Sequence, residues 1–420
     1  MRISTQEFLL GSLPDLLAQQ SNVNQLNREI ATGQTLLDAT ADPAGAGQAV
    51  QTAAEAQHFA YDAAGAQGAA QTIETTLGAL QQVGGIITQL RQAAVAGANA
   101  ATTAAARQGL AATAQNALQQ LVALANTRGA DGTYVFAGSQ AKAAPFVTAA
   151  DGQIAFAGDG AANTVEIAPG LSVPVTASGQ GIFVDIPAGK DGVAVTAEPT
   201  NTGSAFALAQ GVTSLAALSA ERLAGTQYEI TFTAAAGGTL GYAVASGTGS
   251  PGTSGFAATS GTIASGSFSP GADLRFAGLD IAINGTPAAG DTFVVATDAT
   301  ASLFATAQQL IAALAPTPAG QPASPQAQQQ IENVIANLDG AQNSVLSAEA
   351  SLGSTLAQIR AVAGQDQTSS SDAGTALATL QSANLPQILA NYSAGVTALQ
   401  AAELAFARIQ NLSLFSVIHS

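Results

Sequence analysis

Residues 385–418 read LPQILANYSAGVTALQAAELAFARIQNLSLFSVI, and their periodicity decides the fold. Leu385, Leu389, Tyr392, Val396, Leu399, Ala402, Phe406 and Ile409 recur by steps of four and three. That spacing lines one face of an α-helix. Pro386 places the regular part after the first turn, where a missing N–H costs nothing. Beyond the stripe come Leu412, Leu414, Phe415, Val417 and Ile418, although chain ends are usually polar and frayed. Burying each would stabilise by about 1.5–3 kcal/mol before ordering costs. Left bare, they form a patch that invites association.

A similar stripe stands near the other end of the sequence. Ser12 caps, Pro14 fits a first turn and Asp15 takes the capping-box position, so a helix is expected over 12–30. Leu13, Leu16, Val23, Leu26 and Ile30 face one way, and Gly33 follows as the C-terminal stop. The simplest burial pairs this stripe with that of 385–409, as an antiparallel pair or bundle. Asp42-Pro43 then launches a long helix whose seam is Ile73, Leu77, Leu80, Gly84, Ile87, Leu90 and Ala94. It is expected to break at AGANAATTAAA (96–106) and resume to about Asn126. Further helices are expected over 301–314, 326–363 and 376–411, the last two separated by GQDQTSSSDAG (364–374).

Between the helical parts the texture changes. GQIAFAG, NTVEIA, GIFVDI, VAVTA, QYEITFT, LGYAVA, LDIAING and DTFVVAT alternate with period two between turn residues. They read as short strands of an all-β unit. SGTGSPGTSG (246–255) reads as a Gly/Ser-rich loop. The expected class is α+β and multidomain: an elongated rod of long N- and C-terminal helices, coiled-coil-like, with an inserted all-β domain. Its parts are a terminal helical assembly region (1–42 with 376–420), a helical rod domain (43–130 with 300–375) and a β-rich outer domain (131–299).

Composition narrows the function. The 420 residues carry a net charge of −16, and only 9% are charged, against about 25% in ordinary domains. With two lysines and scattered arginines there is no basic stripe for nucleic acid. No run of about 18 apolar residues provides a membrane span. MRISTQEFLLGSLPDLLAQQ is broken by Gly11, Ser12, Pro14 and Asp15 and makes a poor secretion signal. Cysteine is absent, which removes disulfides and thiolate chemistry.

No catalytic constellation emerges. His58 and His419 are the two histidines, and no cluster of ligands surrounds either, so no metal site is expected. GTGSPG from Gly247 matches a dinucleotide pattern but opens no helix. SQAK (139–142) matches S-x-x-K without its companion motifs. Asp131-Gly132, Asp151-Gly152 and Asp191-Gly192 read as turns. No catalytic residue, cofactor or enzyme activity is assigned. The apolar stripes at the two ends are therefore read as an assembly interface covered by sister copies.

Three stretches carry a resemblance: MRIST (1–5), LNREIATGQTLLDATADPAGAGQAV (26–50) and LQAAELAFARIQNLSLFSVI (399–418). They resemble the bacterial flagellin superfamily. GTYVFAGSQAKAAPF (132–146), ITFT (230–233) and INGTPAAGDTFVV (283–295) are similar to segments of its hook-associated members. Asp42-Pro43, where flagellins have Asp-Ala-Ala, and the ending LSLFSVI resemble the hook–filament junction branch. Ala41 and Pro14 depart from the pattern of that family, which has a second acid and a helix continuous from the start. The resemblance implies a secreted structural protein of the flagellum, exported unfolded by the type III apparatus with a chaperone. It implies a ring of copies between hook-associated protein 1 and flagellin. The alternatives are a flagellin-type filament subunit and, from another class, a secreted glycan-binding or enzymatic β domain.

Overall fold

The computed structural model describes residues 4–35, 43–99, 101–234, 239–248, 256–315 and 324–418, with the side chains of 4–12, 260 and 409–418 outside the description. The chain divides into two compact units, Met1–Gly65 with Val362–Ser420, and Ala66–Ala361. It opens with helices α1 (Ser4–Thr32), α2 (Pro43–Ala98) and α3 (Ala104–Ala125). Short strands β1 (Phe146–Thr148), β2 (Ile154–Phe156), β3 (Thr164–Ala168), β4 (Leu171–Pro174), β5 (Ile186–Pro187) and β6 (Ala194–Ala197) follow. Then come β7 (Phe206–Val212), helix α4 (Leu215–Ala224), β8 (Gln227–Ala234), β9 (Leu240–Thr248) and β10 (Ala257–Ser267). Strands β11 (Asp273–Phe276), β12 (Leu279–Asn284), β13 (Thr292–Ala296) and β14 (Thr300–Ala301) lead into α5 (Leu303–Ala313), α6 (Pro325–Gln381) and α7 (Leu385–Ile418). Long terminal helices thus enclose an all-β region, the class expected from the sequence.

In the unit Ala66–Ala361, α2 and α6 run antiparallel. Arg91 pairs with Asp339 at 2.8 Å and Glu74 with Arg360 at 2.6 Å, so one helix descends as the other rises. Both pairs are solvent-exposed and contribute little. The seam between them is apolar: Ile73, Leu80, Val83, Ile87, Leu90 and Ala94 are buried, as are Ile331, Val334, Leu338, Val345 and Ile359. Gly97 is where α2 passes the end of α5. A Cβ there would lie 2.3 Å from Leu314 Cδ2, and Leu314 is itself buried. Gly97→Ala is expected to destabilise this unit by about 1–3 kcal/mol through overpacking, read as a lowered midpoint in urea. The break at 99–103 falls where expected, with Thr103 Oγ1 accepting from Ala106 N at the start of α3.

The β region packs two sheets face to face. One has the order β10-β9-β8-β13-β6 and the other β11-β12-β7, all antiparallel. Alternate residues point into a shared core, among them Tyr228, Ile230, Phe232, Phe293, Val295, Ile281 and Ile283. Asp291, itself buried, ties the loops at one end. Its carboxylate accepts from the backbone N–H groups of Thr202, Gly203 and Ala288 at 2.8–3.1 Å. Asp191 and Gly192, both at positive φ, form the expected turn, with Lys190 and Val193 exchanging backbone hydrogen bonds.

Several expectations need correction. The strand expected over GIFVDI is a single helical turn, Gln180–Val184, followed by β5. A strand would send Ile182 and Phe183 to opposite faces. Both are buried, because Phe183 stacks among Phe136, Phe146 and Phe304 with centroids 5.1–5.9 Å away. The helix expected to end near Ala363 runs through 364–374 to Gln381. Thr368 donates its hydroxyl back to Gly364 O one turn earlier, and Ser370 donates its hydroxyl across to Ala56 O of α2, so these polar side chains are satisfied without breaking the helix. Strands β7, β10 and β11 and helix α4 carried no strong periodic signal.

Candidate assembly interface

The two terminal stripes do meet. Gly33 follows α1, its φ of +69° turning the chain, and the turn is bonded to the segment preceding α7. Thr35 N donates to Gln381 O at 2.7 Å and Ala383 N to Gly33 O at 3.1 Å. From that junction the helices run antiparallel. Gly395 lies against Val23, where an added Cβ would come within 3.2 Å of Val23 Cγ2. Along the contact Leu16, Val23, Leu26 and Ile30 of α1 are half-buried, as are Tyr392, Val396, Leu399, Ala402 and Phe406 of α7.

Half-buried describes most of this apolar seam. Among the described side chains of the unit Met1–Gly65 with Val362–Ser420, the buried apolar ones are Ala49, Ala63 and Ile388. Leu13, Leu385 and Leu389 are exposed, and so are Leu17 at 56% and Leu404 at 63%, which the sequence reading did not single out. The cause is geometric. Two helices cover each other along one line only, and a third layer is needed to enclose both flanks. Backbone amides of α1 and α7 are therefore expected to exchange with deuterium at least about 100-fold faster than those of 70–95 in α2. Hydrogen exchange of the purified chain checks this.

The seam departs from its sequence reading at the start of α7, where Ile388 takes the inward place read for Leu385 and Leu389. Ile388, Tyr392, Gly395, Leu399, Ala402 and Phe406 step by four and three, and all turn inward. Leu385 and Leu389 lie beside this line. At the other end, α1 starts at Ser4 and carries Pro14 inside it, so Ser12 is not its cap. Pro14 costs the helix one hydrogen bond rather than its start. Ile409, Leu412, Leu414, Phe415, Val417 and Ile418 belong to helical backbone of α7, and their side chains lie outside the described residues. Two buried acids were missed, Glu29 and Asp366. Glu29 accepts from Gln25 Nε2 at 3.2 Å one turn back.

Two of the chemically suggestive features have structural partners, while most of GTGSPG and His419 lie outside the described residues. His58 pairs with Asp62 at 2.9 Å along the exposed face of α2. No group of three or more His, Cys, Asp or Glu could hold a metal ion among the described residues. Ser139 of the SQAK match donates its hydroxyl and its N–H to Asp159. These bonds hold the Asp159 carboxyl below its usual range, Ser139's hydroxyl contributing most. A lowered carboxyl stabilises the fold above its ordinary pKa and loses that contribution as pH falls through the lowered one. This tie is therefore intact at neutral pH. A cleft of about 840 Å³ between α6 and the β region includes Lys190, Gln210, Asp298, Glu332 and Asn343. No helix among the described residues is long and apolar enough to cross a membrane.

Comparison with known proteins bears on this pattern of paired terminal helices. Residues 3–141 match the family model of the bacterial flagellin N-terminal helical region. The likeness is to flagellar hook-associated protein 3. The curated protein of that name from Salmonella typhimurium is 32% identical over 153 residues, 36% of this chain and 48% of that one. Its Escherichia coli counterpart is 31% identical over 147 residues, 35% and 46%. The chain thus matches about half the length of these curated relatives. Among solved structures, flagellar hook-associated protein 3 from Legionella pneumophila superposes with a TM-score of 0.68 at 25% identity, covering 77% of this chain and 96% of that one. FlgL from Xanthomonas campestris gives 0.65 at 25% identity, covering 78% and 98%.

Proposed function

We propose that this chain is a structural component of the bacterial flagellum, an adaptor ring joining the hook to the filament. In this reading it sits between hook-associated protein 1 and flagellin, is exported by the flagellar type III apparatus, and is met by an export chaperone beforehand. It performs no catalysis. One observation carries the reading: the α1–α7 pair half-buries its leucine-rich seam and leaves Leu13, Leu17, Leu385, Leu389 and Leu404 uncovered. Neighbouring copies and adjoining layers would complete that cover, so the terminal region gains its full stability only in the assembly. The likeness to hook-associated protein 3 points the same way.

Two experiments test the proposal. Antibody labelling of intact flagella should place the chain at the hook–filament boundary alone. Label along the filament would favour a filament subunit instead. A deletion strain should build hooks and release intact flagellin into the medium. Loss of flagellin itself would count against the adaptor.

A further inference from the structure

Helix α4 is the one described helix lying between strands of the two facing sheets. It is held at both ends, by Ser214 Oγ accepting from Ala217 N and by Gly225 in the left-handed conformation. Its inner face buries Leu218 in the sandwich core. Its outer face is unusual for a surface helix. Leu215, Ala216, Ser219, Ala220, Leu223 and Ala224 are all exposed, with Leu215 at 71% and Leu223 at 91%. A helix packed on a core normally turns charge to the solvent. Here the two charges are turned aside. Glu221 bonds the Tyr228 hydroxyl, and the Arg222 guanidinium donates to the backbone carbonyls of Thr297 and Asp191.

We infer that the outer face of α4 is a contact with a second copy of this chain, made when copies are already held side by side. Two features select that occupant. First, each copy carries a net charge of −16, so copies approach at least cost where neither presents charge, and this face presents none. A basic partner would be met by carboxylates, which this face lacks. Second, the face is small. Ten residues of helix form a strip about 15 Å by 10 Å, well short of the ~800 Å² per partner that an independent complex needs. Such a contact is useful when another interface supplies a high effective concentration. The inference therefore rests on the ring reading and adds a second, outer contact to it.

The absence of cysteine makes the test clean. L223C, and D273C on exposed β11 as a control, are each labelled through their single thiol with a benzophenone maleimide. The label goes onto intact flagella and onto the dilute purified chain, followed by illumination. The expected result is a chain–chain adduct from L223C in flagella, at least about tenfold above D273C, and none from either in dilute solution. Adducts solely to a different flagellar protein, or none while the chain is present in sheared flagella, overturn the contact and leave the ring reading intact. Absence of the unlabelled, unsubstituted chain from sheared flagella overturns both. Abundant dimer adduct in dilute solution overturns the dependence on a prior array.

Discussion

Replacing Leu399 and Phe406 together by aspartate is expected to lower incorporation of this chain into flagella by at least about 100-fold. Both side chains lie on the inward line of α7. An aspartate there must be desolvated without a partner, at several kcal/mol per charge. It either stays charged and separates α1 from α7, or draws water into the seam. The unit Ala66–Ala361 contains neither residue, so its melting transition should move by less than about 1 °C. That contrast gives the prediction its force. A double variant that melts normally and still incorporates at the wild-type level would show that the seam is not needed for assembly. Quantitative immunoblotting of sheared flagella and calorimetry of the purified chain read the two halves.

Replacing Gln329 by leucine is expected to destabilise the unit Ala66–Ala361 by about 2–5 kcal/mol. Gln329 is 3% exposed on α6. Its side-chain amide faces the β7 backbone like a piece of a neighbouring strand. Its Oε1 accepts from Ala207 N at 2.6 Å and its Nε2 donates to Ala207 O at 2.8 Å. Asn333, four residues on, donates to Val195 O of β6 at 2.9 Å, and Asn337 accepts from Gly189 N at 2.7 Å. β6 and β7 are the end strands of their sheets. This row of amides supplies what a further strand would have supplied. Leucine fills the volume and leaves the Ala207 N–H and C=O without these partners, at about 1–3 kcal/mol for each buried group. Gln330→Ala, on the exposed side of the same turn, should stay within about 0.5 kcal/mol. Urea denaturation of both variants measures the difference. Equal midpoints would mean that the amide row does not hold α6 to the strands.

These two residues sit at opposite ends of what could be read beforehand. Leu399 and Phe406 announce themselves, because a stripe repeating by four and three is a property of neighbours in sequence. Gln329 does not. A glutamine in a helix is read as surface by default, and its burial depends on β6 and β7, more than a hundred residues away in the chain. The same division separates β8, β12 and β13, whose bulky residues alternate visibly, from β10. That strand is AATSGTIASGS, and it becomes a strand by pairing with β9.

The terminal stripes and the change from helical to alternating texture and back were both legible in the linear order of residues. Each depends on local spacing or on which residue types are present. The burial of Ile182 beside Phe183, the inward phase of Ile388, the unbroken run of α6 and the strand-like use of Gln329 required the folded chain. In each, contacts between distant segments outweigh a local preference worth a kcal/mol or less per residue. The bare outer face of α4 belongs with these, since only folding reveals which side of a short helix has been left uncovered.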